Sequence, residues 1–186
     1  MRIGQWTVRE SAPADRDRIG GLHRAAFGHA EGPVIERLVA AMLDDPTAEP
    51  VLSLLAEAGG ELLGHVLFTA ARVVPGADGV TAAILAPLAV RPDGQGLGIG
   101  TALARDGLER LRADGVGLVF VLGHIDYYPR LGFRPAGEHG FMAPYPIPDA
   151  VADAWMVQEL QPGIIGRVAG TVQCCAALDH PGHWIE

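Results

Sequence analysis

The chain has 186 residues, 49% of them hydrophobic, so we expect a single domain with a sizeable core and exclude a disordered protein. Its formal net charge of −8 argues against a general nucleic-acid binder, because such proteins carry a basic surface. No apolar stretch reaches the roughly 18 residues needed to span a bilayer, and residues 1–10 lack the apolar segment of a signal peptide, so we expect a cytoplasmic protein without a membrane partner.

The first fifty residues predict one strand and two helices. Residues 6–9 are typical of a strand, and Ser11 and Pro13 then open a helix whose apolar residues keep helical spacing. Residues 28–32 predict a turn, and Pro33 suits the first turn of the second helix because proline needs no backbone N–H there.

Three strand-like stretches follow, at residues 51–58, 61–74 and 81–90, and a glycine pair between the first two predicts a tight hairpin turn. A third helix is predicted at residues 98–113. The almost wholly apolar residues 116–122 are typical of a strand buried on both faces. Because a strand, a helix and a strand follow one another here, the two strands should run parallel.

The rest of the chain contains fewer clear elements. A short helix or turn holds Tyr127 and Tyr128, three prolines bend the chain at residues 144–148, and strands are expected at residues 154–160 and 168–177. This order favours an α+β fold, with a mixed central sheet of about six or seven strands flanked by about four helices. Two adjacent cysteines, Cys174 and Cys175, rarely form a disulfide with each other, so we expect both to be reduced and buried.

The most informative local pattern is the glycine-rich turn QGLGIG at residues 95–100, which joins a strand to a helix. Such a turn leaves backbone N–H groups unpaired, and the helix dipole adds partial positive charge, so the turn is suited to a phosphate or pyrophosphate. The dinucleotide fingerprint does not fit, because its third glycine would fall on Thr101 or Leu103. A Walker A loop is excluded, since all 14 basic residues are Arg and none is Lys.

The pattern that does match is Q-x-x-G-x-G, at Gln95, Gly98 and Gly100. It closely resembles the acyl-CoA signature of the GNAT superfamily of N-acetyltransferases, and YYPRLGF at residues 127–133 resembles the second signature of that superfamily. The whole chain is similar to a bacterial branch of predicted acetyltransferases with an LGxxxYYxRxGF pattern. The resemblance implies a GNAT-like single domain, in which residues 1–160 form the acyltransferase domain and residues 161–186 add a C-terminal strand and tail.

The resemblance implies acetyl-CoA as the acyl donor. We expect no metal, because the pair His180 and His183 supplies only two ligands in a C-terminal tail. Backbone N–H groups of the glycine turn would hold the pyrophosphate, and the pantetheine arm would pair with a strand that Pro87 helps to separate from its neighbour. The donor-binding residues expected on this basis are Leu88, Ala89, Val90, Gln95, Gly96, Leu97, Gly98, Ile99, Gly100 and Thr101.

The resemblance also implies a catalytic role for Tyr128, as the general acid that protonates the departing CoA thiolate. An unperturbed phenol, with a pKa of about 10, keeps its proton at neutral pH. Many relatives carry a Glu on the fourth strand as general base, but residues 81–90 contain no acid and no His. The candidate residues for the base are therefore His124 first and Glu31 second, and a water chain to backbone carbonyls is an equal alternative to either.

The expected activity is direct transfer of an acetyl group from acetyl-CoA to the primary amine of a small-molecule or peptide acceptor. The acceptor pocket should be lined by residues 27–31, the loop around His124 and the tail beyond Phe133. The missing strand carboxylate leaves a non-catalytic acyl-CoA-binding or sensing domain as the alternative. The apolar tail residues Trp184 and Ile185 leave a homodimer contact open.

Overall fold

Nine strands and three α-helices make up the regular structure of the computed structural model, which describes residues 5–75 and 79–184. The helices are α1 (Arg16–Ala26), α2 (Gly28–Asp44) and α3 (Ile99–Ala113). The strands are β1 (Thr7–Glu10), β2 (Leu52–Ala58), β3 (Glu61–Val74), β4 (Ala82–Val90), β5 (Leu118–Leu122), β6 (Arg134–Pro135), β7 (Phe141–Met142), β8 (Trp155–Glu159) and β9 (Gly170–Gln173).

The strands form one mixed sheet in the order β1-β2-β3-β4-β5-β8-β6, while β9 pairs with the last residues of β3 and also with β7. Only the β4–β5 and β7–β9 pairs are parallel within the described residues. The α+β class with a central mixed sheet is therefore confirmed, as is the parallel crossover through α3. A 3-10 helix over Tyr128–Leu131 is the short fourth helix of the prediction.

Helices cover both faces of the sheet. One core cluster joins Ile19 of α1 and Met42 of α2 to Leu55 of β2, and the other joins Leu103 of α3 to Leu54 of β2. Leu54 and Leu55 are neighbours on opposite faces, as the two-residue period of a strand requires. In each of the three helices, the apolar residues at helical spacing are the ones that pack on the sheet.

The turn predicted at residues 28–32 is wrong, because α2 begins directly at Gly28. The positive φ of Gly28, 72°, reverses the chain in one residue, so no longer turn is needed. Gly32 then lies inside the helix, where a Cβ would come within 2.3 Å of the Arg24 carbonyl oxygen of α1. Glu31 is consequently a residue of the first turn of α2 and not of a loop, and Pro33 lies in the helix interior.

The sheet opens between β4 and β5. Their parallel ladder covers only Ala82–Ile84 of β4, although β4 continues to Val90. On its other side β4 bulges against β3, since Leu67 alone stands opposite Ala86 and Pro87. A bulge is the kind of irregularity expected at Pro87. The early end of the ladder with β5 leaves a cleft between β4 and β5.

The C-terminal segment, residues 174–184, folds back over the sheet. The Trp184 side chain is only 3% exposed, packs edge-on against Trp155 at 5.6 Å, and donates its indole N–H to the Leu178 carbonyl at 3.0 Å. Trp184 is thus a core residue and does not present the exposed contact that a dimer through this tail would need. Ile185, which the sequence analysis named with Trp184 as a homodimer contact, lies outside the described residues.

Both cysteines of this segment are free thiols, with Cys175 buried and Cys174 half-buried. Burial raises the pKa of Cys174 to about 12, so its thiol stays protonated at neutral pH. In the part of the chain that the structure describes, no helix is long and apolar enough to cross a membrane.

Candidate active site

A cavity of about 240 Å³ occupies the cleft between β4 and β5. It brings together three residues predicted from the sequence, Leu88, His124 and Tyr128. The remaining lining residues come from four parts of the chain that are far apart in sequence, namely Phe27, Ile35, Leu38, Ile84, Leu85, Ala86, Pro87, Leu122, Gly123, Leu178, His183 and Trp184. The separation of β4 from β5 is what creates the room for this cavity.

The ladder between β3 and β4 determines which backbone groups of β4 remain free. Residue pairs of an antiparallel ladder alternate between exchanging hydrogen bonds and making none. The Arg91 N–H donates to the Leu63 carbonyl at 2.8 Å, so in the same register Ala89 directs its backbone groups to β3. Leu88 and Val90 direct theirs to the opposite side, where β5 has moved away.

The glycine turn lies at the end of β4 and leads into α3. Gly96 and Gly98 have positive φ values of 76° and 85°, and no heavy atom lies within 4 Å of a Cβ built on either. Ala102 donates the first intrahelical bond, to the Gly98 carbonyl, so the N–H groups of residues 99–101 have no partner within α3. No side chain of the described residues caps this helix end. The turn therefore presents free N–H donors beside open space, which is what a phosphate group requires.

Gly100 connects the turn with the cleft. A Cβ at Gly100 would lie 3.1 Å from the Tyr127 hydroxyl, 3.3 Å from Val90 Cγ2 and 3.7 Å from Leu88 Cδ2. The start of α3 thus packs directly against the end of β4 and against Tyr127. The Gln95 side chain donates to the Val90 carbonyl at 3.3 Å and so joins the turn to the same strand.

The other residues predicted to bind the donor differ in what they can offer. Ile99 is 1% exposed and packs in the core, so only its backbone N–H is available. Thr101 is half-buried in the first turn of α3, whereas Leu97 is 55% exposed at the tip of the glycine turn.

Tyr127, the first residue of the second signature, lies against the start of α3. Its hydroxyl is buried beside the first turn of α3, and this burial raises its pKa above the ordinary value. Thr101 and the positive charges of Arg105 and Arg130 act in the opposite direction. Tyr127 and the two arginines therefore belong to the surroundings of the glycine turn, although Arg105 resembles an ordinary surface residue in the sequence.

The two candidate bases lie in different places. His124 follows β5, is exposed, and lines the cavity beside Tyr128. Glu31 is exposed in the first turn of α2 and is not part of the cavity lining. A second imidazole, His183 of the C-terminal segment, also lines the cavity, and burial, together with the nearby His180, lowers its pKa below the ordinary value.

The pocket predicted at residues 27–31, around His124 and in the tail beyond Phe133 agrees with the cavity in part: Phe27, His124 and three tail residues line it, whereas residues 28–31 do not. The prediction missed Ile35 and Leu38 of α2. Ile35 and Leu38 show helical spacing, which predicts core packing and does not distinguish a cavity wall from the rest of the core. Leu178, His183 and Trp184 carry no local signal, because only the folding back of the C-terminal segment brings them to the cleft. Among the described residues, no group of three or more His, Cys, Asp or Glu side chains is placed to hold a metal ion.

Known proteins with similar sequences and structures agree on one family. Residues 7–136 match the model of the Acetyltransferase (GNAT) domain. The uncharacterised N-acetyltransferase YjhQ of Escherichia coli is 45% identical over 161 residues, which are 86% of this chain and 87% of that protein.

Two solved structures extend the similarity to the fold. The GNAT family N-acetyltransferase YhbS of Escherichia coli, solved in complex with CoA, has a TM-score of 0.82 and 27% identity, covering 95% of this chain and 93% of that one. A GNAT family acetyltransferase of Brucella melitensis, solved with acetyl-CoA, has a TM-score of 0.74 and 28% identity, covering 94% and 99%. These relatives do not favour the alternative of a non-catalytic binding domain.

Proposed function

Because the chain belongs to the GNAT acetyltransferase family and is an N-acetyltransferase, we propose that it transfers the acetyl group of acetyl-CoA directly to a primary amine held in the β4–β5 cleft. The observation that carries this proposal is the divergence of β4 from β5 next to an uncapped, glycine-rich start of α3. The divergence supplies a cavity with Tyr128 in its wall, and the helix start supplies donors for a phosphate.

For the acyl donor, we propose that the pyrophosphate of CoA lies on the glycine turn, against the N–H groups between Gln95 and Thr101. The free space at Gly96 and Gly98 supports this placement, and so does the positive charge of Arg105 and Arg130 nearby. The pantetheine arm then runs along β4, where Leu88 and Val90 turn their backbone groups towards the cleft and Ala89 lies between them. The complexes of two relatives with CoA and acetyl-CoA agree with this use of the fold.

The transfer requires three groups from the protein: a hydrogen-bond donor to the carbonyl oxygen, a proton donor to the sulfur and a base for the acceptor. The amine nitrogen bonds to the acetyl carbonyl carbon, the carbon–sulfur bond breaks, and CoA leaves as a thiol. The Leu88 N–H donates to the carbonyl oxygen as negative charge develops on it. The Tyr128 hydroxyl donates its proton to the departing sulfur, and the nitrogen releases its surplus proton to solvent as the amide forms. Tyr128 recovers a proton from solvent after the products leave.

The third group is the general base, which removes a proton from the ammonium form of the acceptor. We assign this role to His124, because its imidazole lines the cavity beside Tyr128 and a ring nitrogen can accept a proton. Glu31 remains the second candidate, acting through water, since its position on α2 lies outside the cavity lining. Both thiols lie in the C-terminal segment and stay protonated, which supports direct transfer over a cysteine acyl-enzyme.

The first test is a thermal-shift titration with acetyl-CoA, CoA and NAD, followed by a screen of amines for released thiol. A ligand at 100 times its dissociation constant adds about 2.7 kcal/mol of stability, enough to raise the melting temperature by a few degrees. We expect a shift with both CoA species and none with NAD. The absence of a shift with either CoA species would overturn the proposal.

The substitution Gly98→Ala tests the glycine turn itself. We expect at least a tenfold loss of acetyl-CoA affinity, because the left-handed backbone at Gly98 cannot be kept by alanine without strain. Gly60→Ala is the matched control, since Gly60 has a φ of 81° and equally open surroundings but lies in the β2–β3 hairpin. Both variants carry a similar strain of about 1–2 kcal/mol, so an equal loss of affinity in the two would contradict the assigned site.

A further inference from the structure

The part of the cavity lining that comes from the first two helices and from the C-terminal segment is almost entirely apolar. It consists of Phe27 at the end of α1, Ile35 and Leu38 on α2, and Leu178 and Trp184 of the C-terminal segment, with His183 as its polar member. Leu38, Leu178 and Trp184 are buried, so this wall is a surface of the hydrophobic core. A ligand that extends beyond the reacting groups meets aliphatic and aromatic side chains here.

Carboxylates are missing from this wall. Within the described residues no Asp or Glu lines the cavity, even though α2 and the C-terminal segment both carry acids. Glu36 of α2 forms an ion pair with Arg24 at 3.3 Å, and Asp179 accepts a hydrogen bond from the Tyr145 hydroxyl at 3.0 Å. An ammonium group buried without a carboxylate partner is strongly disfavoured. The cavity therefore has no provision for a second positive charge on the acceptor.

The polar side chains of the lining can accommodate one amine nitrogen of the acceptor. They are His124, Tyr128 and His183, and none of them is a carboxylate that could hold a permanent cation. The volume of about 240 Å³ is also small, since pockets for drug-sized ligands measure about 300–1,000 Å³. Part of that volume must receive the acetyl end of the donor, so the acceptor has to be compact.

We infer that the acceptor is a compact monoamine with an apolar body, which places its nitrogen near Tyr128 and His124 and its body against Phe27, Ile35 and Leu178. This inference rests on the proposed acetyl transfer and adds the substrate class to it. Alkylamines and arylalkylamines belong to this class. Polyamines and aminoglycosides do not, because each carries several ammonium groups.

A matched pair of amines tests the inference. Hexylamine and cadaverine have the same length, but cadaverine has an ammonium group where hexylamine ends in a methyl group. With saturating acetyl-CoA and thiol release as the readout, we expect kcat/KM for hexylamine to exceed that for cadaverine by at least 30-fold. Binding of both amines to the CoA complex, measured by calorimetry, gives a second readout that does not depend on chemistry.

A pair of neighbouring substitutions locates the discrimination in the cavity. Ile35→Asp places a carboxylate in the apolar wall, and we expect it to reduce the preference for hexylamine at least tenfold. Val34→Asp is the control, because Val34 is 43% exposed on α2 and lies outside the lining, so it should leave the preference unchanged. Melting temperature and acetyl-CoA affinity report whether each variant folds. If Ile35→Asp does not fold, Ile35→Ala replaces it, with an expected threefold or greater rise in the KM for hexylamine.

The outcomes separate this inference from the proposed function. Equal or better use of cadaverine would overturn the apolar class while leaving acetyl transfer intact. Tighter binding of hexylamine without any thiol release would support the class and contradict the proposed reaction. Failure of hexylamine both to bind the CoA complex and to react would overturn the class, as would an unchanged preference in a folded Ile35→Asp variant.

Discussion

The ring of Tyr128 is held rigidly at the wall of the cleft. It packs edge-on against Tyr127 at 5.0 Å and against Phe133 at 5.6 Å, and a Cβ on Gly123 would come within 2.4 Å of its Cε2 atom. The side chain is 7% exposed, so the ring is fixed by packing on several sides. Removing the hydroxyl alone should therefore leave the ring in place.

We predict that Tyr128→Phe lowers turnover at least tenfold and leaves acetyl-CoA affinity nearly unchanged. The packing of the ring is retained, while the proton donor to the CoA sulfur is lost. Stopped-flow thiol release and a thermal-shift titration measure the two quantities on the same protein. Unchanged turnover would remove Tyr128 from the reaction.

Among individual residues, the sequence predicts those that belong to a short motif. The two signatures identify Gln95, Gly98 and Tyr128 because each lies at a fixed offset within a local turn or helix. Motifs do not identify the individual residues of the cavity wall, and the predicted pocket missed Ile35 and Leu38. His183 and Phe27 are 156 positions apart, and only the path of the whole chain brings them to one cavity.

The element with the closest packing on the sheet is α3. Gly107 faces β3, where a Cβ would lie 2.2 Å from the Phe68 ring. Glycine is unfavourable within a helix by about 0.5–1 kcal/mol relative to alanine, so its presence here reflects the space that the ring occupies. The absence of a side chain at Gly107 therefore lets the middle of α3 lie close to β3.

The substitution Gly107→Ala should therefore destabilise the protein by about 1–3 kcal/mol, despite the better helix propensity of alanine. The comparison is Gly21→Ala on α1, where the site is exposed and a Cβ meets no atom within 4 Å. That variant should gain about 0.5–1 kcal/mol. Urea unfolding of both variants measures the difference, and a stabilised Gly107→Ala protein would refute the packing argument.

The sequence predicts long elements better than short ones. Periodicity over ten or more residues identifies α1, α3 and β3 close to their observed bounds. It cannot identify β6 and β7, which contain two residues each and exist only because a neighbouring strand pairs with them. The sequence predicts too late a start for α2, because a single glycine with a positive φ replaces the expected turn.

Across the whole molecule, a buried polar chain joins the N-terminal segment, the sheet and α1. The Ser11 hydroxyl donates to Ser53 at 2.6 Å, Ser53 lies 2.9 Å from His65 Nε2, and His65 Nδ1 lies 2.7 Å from His23 Nε2. Both imidazoles are fully buried. Burial lowers the pKa of His23 to about 3 and that of His65 well below its ordinary value, so the folded protein keeps both rings neutral.

This pair predicts a loss of stability in mild acid. The unfolded chain binds protons at these histidines below a pH of about 6.5 whereas the folded chain does not, so the free energy of unfolding decreases as the pH falls. Between about pH 7.5 and 5.5, each histidine that stays neutral in the folded protein should lower the free energy of unfolding by about 1.4 kcal/mol. Urea unfolding at the two pH values measures the loss. His23→Leu should reduce it, whereas His29→Gln, at an exposed position, should not, and equal losses in both variants would contradict the prediction.

The early end of the β4–β5 ladder has a consequence for solubility. An unpaired strand edge on a protein surface is a template for association with other chains, and proteins usually shield such edges with charges or prolines. Here the free edge of β4 lies inside the molecule, in a cleft walled by α2 and by the C-terminal segment. A slender ligand can reach its backbone groups, whereas a second polypeptide strand with side chains on both faces cannot enter. The protein can therefore keep hydrogen-bonding capacity for a ligand without offering the same edge to its own copies.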